Sequence, residues 1–76
     1  LLVKGERGEG VLRLQRALNE AGIRDDQGRK LPETGNFLDL TEAAVRKYQA
    51  KMGLQVDGDA GEQTLKALGI YPGQQK

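Results

Sequence analysis

Apolar residues recur at Val11, Leu14, Leu18 and Ala21 between Gly10 and Gly22, the alternation of three and four that lines up one face of a helix. Gly22 is where that helix is expected to end, because glycine takes the left-handed conformation of a C-cap. Arg13, Arg16, Asn19 and Glu20 fall on the opposite, solvated face. A second stripe, Leu40, Ala44, Val45, Tyr48 and Met52, predicts a helix over Asp39 to Met52, with Glu42, Arg46, Lys47 and Lys51 outside and Gly53 as its stop. Asp39 and Glu42 stand at capping-box spacing, with acidic groups where the helix dipole favours them. A third helix of about two turns fits Glu62 to Leu68, with Leu65 and Leu68 inward and Gly69 after it. Ile70, Tyr71 and Pro72 can fold back on the core, and residues 73–76 read as a frayed tail.

Between the first two stripes, Ile23 to Asn36 is polar, carries two glycines and a proline, and has no periodicity, so it reads as a long loop pinned by Leu31 and Pro32. Its charges, Arg24, Asp25, Asp26, Arg29, Lys30 and Glu33, read as a solvated mixed set. Leu54, Gln55 and Val56 form a short extended link.

The pattern repeats. Val11, Leu14, Gln15 and Leu18 match Val45, Tyr48, Gln49 and Met52, and Gly22-Ile23 matches Gly53-Leu54. Gly35 to Thr41 then matches Gly58 to Thr64. The expected fold is all-α, a compact three-helix bundle built from two overlapping helix-loop-turn repeats. It forms one domain over residues 1–76 with its core at about residues 4–72.

Composition narrows what such a bundle can do. The chain has 76 residues and no cysteine, so neither disulfides nor thiolate metal sites supplement its core. It has no histidine and no serine, which removes the commonest general base and the usual hydrolase nucleophile. Twelve basic and 11 acidic residues leave a net charge of +1 without clusters, so neither a nucleic-acid footprint nor a membrane span is expected. The chain opens on Leu1-Leu2-Val3 without a leader and reads as a mature or excised module.

The stretch Val56 to Thr64, VDGDAGEQT, carries the densest candidate chemistry. A calcium loop starting at Asp57 needs an oxygen ligand at its fifth position, glycine at the sixth and glutamate at the twelfth; Gly61, Glu62 and Leu68 stand there instead. No metal site is expected. Asp57-Gly58 reads as a tight turn, Gly61 as the N-cap of the third helix, and the Thr64 hydroxyl as a partner for the turn. Gln15 and Gln49 fall on buried stripes, where a carboxamide must be satisfied. Each is expected to tie down the backbone of an adjacent loop, a role compatible with ligand contact if one amide edge stays exposed. Phe37 and Tyr48 are core candidates, the Tyr48 hydroxyl reaching the surface, and Tyr71 a lid or surface contact. Asp57 and Asp59 alone, without a cleft or apolar pocket, do not make a glycosidase pair.

Together, Val11, Leu14-Gln15, Leu18, Gly22, then Gly35-Asn36-Phe37, Thr41 to Val45, Tyr48-Gln49, Gly53-Leu54, Asp57-Gly58, Gly61, Thr64 and Leu68 resemble the type-1 peptidoglycan-binding domain family over roughly Lys4 to Gly69. The turn from Asp57 to Thr64 fits the family pattern throughout. The first turn departs from it, with Thr34 where aspartate is usual and Leu38 where glycine is usual, which implies another backbone shape at Leu38. The resemblance implies a non-catalytic, cofactor-free, metal-free module appended to cell-wall hydrolases, amidases, transpeptidases or phage lysins. Its expected partners are peptidoglycan, both glycan and stem peptide, and a tethered catalytic domain. It is expected as a monomer in the cell envelope, secreted, or in a phage lysin. Gly35, Asn36, Gln49, Asp57, Gly58 and Asp59 are the expected ligand-binding residues. The alternative is a protein-interaction or propeptide-like module that packs on its own enzyme domain; an exposed apolar patch would favour it, and a polar groove by the turns would favour the wall.

Overall fold

In the computed structural model, which describes residues 1–71, the three stripes form three helices: α1 (Glu9–Glu20), α2 (Asp39–Met52) and α3 (Glu62–Leu68). Pro72 and the tail at 73–76 lie outside the described residues. All three helices end in one way. Gly22, Gly53 and Gly69 take φ of 83°, 73° and 79°. The next residue's N–H then returns to a carbonyl one turn back: Ile23 to Leu18, Leu54 to Gln49 and Ile70 to Leu65. That closure folds an apolar residue back toward the core each time.

Phe37, fully buried, sits in a core with Val11, Leu14, Leu18, Ile23, Leu31, Val45, Tyr48, Ala60 and Leu65. Ile70 and Tyr71 pack against it. α1 contacts both other helices. Among the described residues there is no strand, only two isolated antiparallel bridges, Leu2 to Ala60 and Arg7 to Asn36. The N-terminal segment therefore crosses the molecule from the second turn to the first.

Several details differ from the sequence reading. Leu40 and Met52 are 58% and 48% exposed rather than inward. The buried face of α2 is Thr41, Ala44, Val45, Tyr48 and Gln49, which places Leu40 one residue, about 100°, off the stripe. Met52 lies past the core, beside the terminating Gly53. No capping box forms: Leu38 is the N-cap of α2 and makes no side-chain cap bond, so Asp39 and Glu42 lie in the first turn, where only the dipole interaction remains. Asn19 is not simply solvated; its amide brackets Leu31, donating to the Leu31 carbonyl at 2.8 Å and accepting its N–H at 2.9 Å.

The long loop is tied rather than loosely solvated. Asp25 Oδ1 accepts the Gln27 and Arg29 N–H groups, each at 2.8 Å. Its charges also pair: Arg29 with Asp25, Lys47 with Asp26, and Arg16 with Glu33.

Candidate functional site

Gln15 projects from α1 beneath the first turn and is 1% exposed. Its Oε1 accepts the Gly35 N–H at 2.8 Å. Its Nε2 donates to the Asn36 carbonyl and the Thr41 hydroxyl, each at 3.0 Å, with a longer contact of 3.5 Å to Thr34 Oγ1. Gln49, also 1% exposed, does the same beneath the second turn. Its Oε1 accepts the Asp57 and Gly58 N–H groups at 3.1 and 3.0 Å. Its Nε2 donates to Asp57 Oδ1 at 3.0 Å, the Asp59 carbonyl at 2.9 Å and the Thr64 hydroxyl at 3.1 Å. Each glutamine thus joins a turn to the threonine one turn into the next helix.

Thr34 stands in for aspartate in the first turn. Its hydroxyl accepts the Asn36 N–H at 3.1 Å, as Asp57 Oδ1 accepts the Asp59 N–H at 2.9 Å. Leu38 does not give the first turn another shape. Leu38 and Gly61 have ψ of −162° and −170° with negative φ, both extended, a conformation open to any residue. Glycine is required elsewhere, at Gly35 and Gly58, with φ of 81° and 79°.

The six expected ligand residues fall into two groups. Gly35 and Asn36 belong to the first turn, and Gln49, Asp57, Gly58 and Asp59 to the second; Thr41 and Gln49, which mark the groups on α2, are separated by roughly 12 Å of helix rise. Asn36 and Asp57 are exposed, Asp59 is half-buried, and Gly35 and Gly58 are buried. With no amide edge exposed, Gln49 reaches a ligand only through the turn it holds.

A shallow groove of about 520 Å³ opens beside the first turn, between Arg7, Gly8 and Glu9 on one side and Thr34, Gly35 and Asn36 on the other. Arg7 and Glu9 carry no sequence motif. Their place here follows from the Arg7 to Asn36 bridge, a contact between segments far apart in sequence. At the second turn, Arg46 and Glu42 lie against Gly58, where an added Cβ would meet Arg46 Nε and Glu42 Cγ at 3.0 Å. Both side chains lie on the outer face of α2, as their spacing predicts, and their proximity to the turn is tertiary.

The Asp57 carboxyl is held below its ordinary value, chiefly by the Asp59 N–H, then by the Gln49 amide and, more weakly, by Arg46. It is therefore a carboxylate at neutral pH, an acceptor rather than a general acid. Among the described residues no three carboxylates converge on a possible metal position. What the two turns offer is backbone ordered by the glutamines beneath them, with the Asn36 and Asp57 side chains exposed at its edge.

A family model described as "Putative peptidoglycan binding domain" matches residues 7–68. The chain belongs to the peptidoglycan-binding domain family. Among solved structures, the SleB N-terminal domain is 36% identical with a TM-score of 0.78, covering 88% of this chain and 85% of that one. A Burkholderia AP3 phage endolysin is 39% identical with a TM-score of 0.78; the match covers 88% of this chain but 24% of the endolysin. A search of curated proteins finds no match. Both turns lie inside the matched region of this peptidoglycan-binding domain, whereas Leu1 to Glu6 precede it. Among the described residues no helix is long and apolar enough to cross a membrane.

Proposed function

We propose that this peptidoglycan-binding domain is a non-catalytic anchor that holds an attached cell-wall enzyme on its polymer, in the cell envelope or in a phage lysin. The observation that carries the reading is the pair of glutamine-clamped turns, with an open groove of mixed lining, Arg7, Glu9, Leu12, Thr34 and Asn36, beside the first. Asn36, Asp57 and Asp59 supply side-chain donors and acceptors, Gly35 and Gly58 let the backbone turn back on itself, and Gln49 fixes the second turn from below. Sugar hydroxyls and amides are read by such groups without bulk charge, in line with the net charge of +1.

The module acts as a monomer, and its contribution to the attached enzyme is effective concentration rather than chemistry. Packing on its own enzyme domain through an apolar face is less well supported. The exposed large apolar residues, Leu1, Leu38, Leu40, Met52 and Val56, come from the N-terminal segment, the start and end of α2 and the link after it, and on α2 itself Leu40 and Met52 are about 18 Å apart and do not make a continuous stripe.

Retention of the isolated domain on purified sacculi tests the reading. Wild type is expected to sediment with the wall, and Asn36→Ala and Asp57→Ala, verified as folded by circular dichroism, to be released at least several-fold more readily. Absence of wild-type retention would overturn the anchoring function. Undiminished retention of both folded variants would remove the two turns as its site.

A further inference from the structure

A second groove, of about 350 Å³, lies away from both turns, between the long loop and the first half of α2. Its floor is apolar: Ile23, Leu31 and Ala44 are buried there, and Leu40, 58% exposed, stands at the edge. Its rim is charged, with four cations against two carboxylates, an excess of two positive charges. Most of these are committed. Arg29 pairs with Asp25 at 2.8 Å and Lys47 with Asp26 at 2.7 Å, while Arg24 donates to the Asn19 and Ile23 carbonyls. Lys30 makes no ion pair among the described residues.

The groove is also built rather than incidental. Asp25 fixes one loop arm through two backbone N–H groups, and Asn19 brackets the other at Leu31. A ligand therefore meets a pre-ordered wall and loses little to reorganisation. The volume lies at the lower end of small-ligand sites, enough for a few small residues and not for a helix or a sugar polymer in section.

Peptidoglycan presents two chemistries. Its glycan is a chain of hydroxyls and acetamides, while its stem peptide is short, rich in alanine and bears free carboxylates. An apolar floor sized for methyl groups under a rim with net positive charge matches the second. We infer that the groove between the long loop and α2 binds the peptidoglycan stem peptide, its alanyl methyls against Leu31, Leu40 and Ala44 and a carboxylate at Lys30. The inference rests on the wall-anchoring reading for its choice of polymer and assigns the peptide to a surface distinct from the two turns.

The test uses the folded domain with a soluble, carboxylate-bearing alanyl stem peptide, intact sacculi, and glycan strands from which an amidase has removed the peptides. Peptide is expected to shift the amide resonances of Lys30, Leu40 and Lys47 while leaving Asn36 and Asp59 unmoved. Lys30→Glu is expected to weaken peptide binding by roughly fivefold to tenfold, since it reverses the unpaired charge. Leu40→Gln, at an exposed position with little demand on folding, is expected to weaken it without changing its salt dependence. No resonance shift at the groove, or peptide binding unchanged in both variants, overturns the inference. Wild-type retention on peptide-free strands alongside either of those results leaves anchoring standing and removes only the groove. Peptide binding at the groove without retention on intact sacculi does the reverse.

Discussion

Gln15 and Gln49 show how one side chain can decide a local conformation. Each is placed on a buried helical stripe by its spacing from apolar neighbours, and each then satisfies its carboxamide with a turn's N–H and C=O groups. That much was legible in the sequence, because a buried amide must find partners and the nearby turns have donors and acceptors to offer. The full burial was not legible. Whether an amide edge remains open depends on how closely the turn lies over it. Replacing Gln49 with leucine keeps the bulk but strands the Asp57 and Gly58 N–H groups and the Asp59 carbonyl. The expected loss is about 2–4 kcal/mol of unfolding free energy, measured by urea denaturation, because stranded buried groups each cost about 1–3 kcal/mol. A cost below about 1 kcal/mol would mean that water replaces the amide and that the glutamine does not hold the turn.

At the scale of elements, the helix ends were legible because a glycine followed by an apolar residue is a local signal, repeated at Gly22-Ile23, Gly53-Leu54 and Gly69-Ile70. The role of the N-terminal segment was not. Leu2 exchanges backbone hydrogen bonds with Ala60 at 3.0 and 2.8 Å, and Glu6 accepts the Phe37 N–H at 2.9 Å. No short-range pattern announces pairings between segments so distant in sequence. α3 has only seven residues, too few to stand without tertiary support. Removing residues 1–6 is therefore expected to lower hydrogen-exchange protection in α3 first, by about tenfold or more, ahead of α1 and α2. Uniform loss across all three helices would instead make the segment a support of the whole core.

For the molecule as a whole, charge acts at the margins of the pH scale. Asp25 and Asp57 have carboxyls held low, Asp25 mainly by the Arg29 backbone N–H and side chain, and Asp57 mainly by the Asp59 N–H. Each contributes stability that is present above its ordinary value of 3.8 and is lost as pH falls through the lower folded-state value. Lys4 and Lys66 are raised above 10.5, first by the hydrogen bonds they donate to the Asp39 and Glu62 carboxylates, so their contributions are complete below that value and are lost as pH rises through the folded-state value. Tyr48, raised from 10.0 by burial, acts in the same alkaline direction. With no histidine in the chain, thermal stability is expected to be level between about pH 5 and 9 and to fall only outside it, as scanning calorimetry at low salt would record. A transition near neutrality would contradict these assignments. By itself, the sequence determined the three helices, their stops, the buried glutamines and the family resemblance, because periodicity and glycine punctuation are properties of neighbouring residues. Only the tertiary structure decided that Leu40 stands outside the core, that Gln49 works from beneath its turn, and that Arg7 joins Asn36 at a groove. Those outcomes depend on which distant backbone comes to lie against each side chain, and no local pattern encodes that.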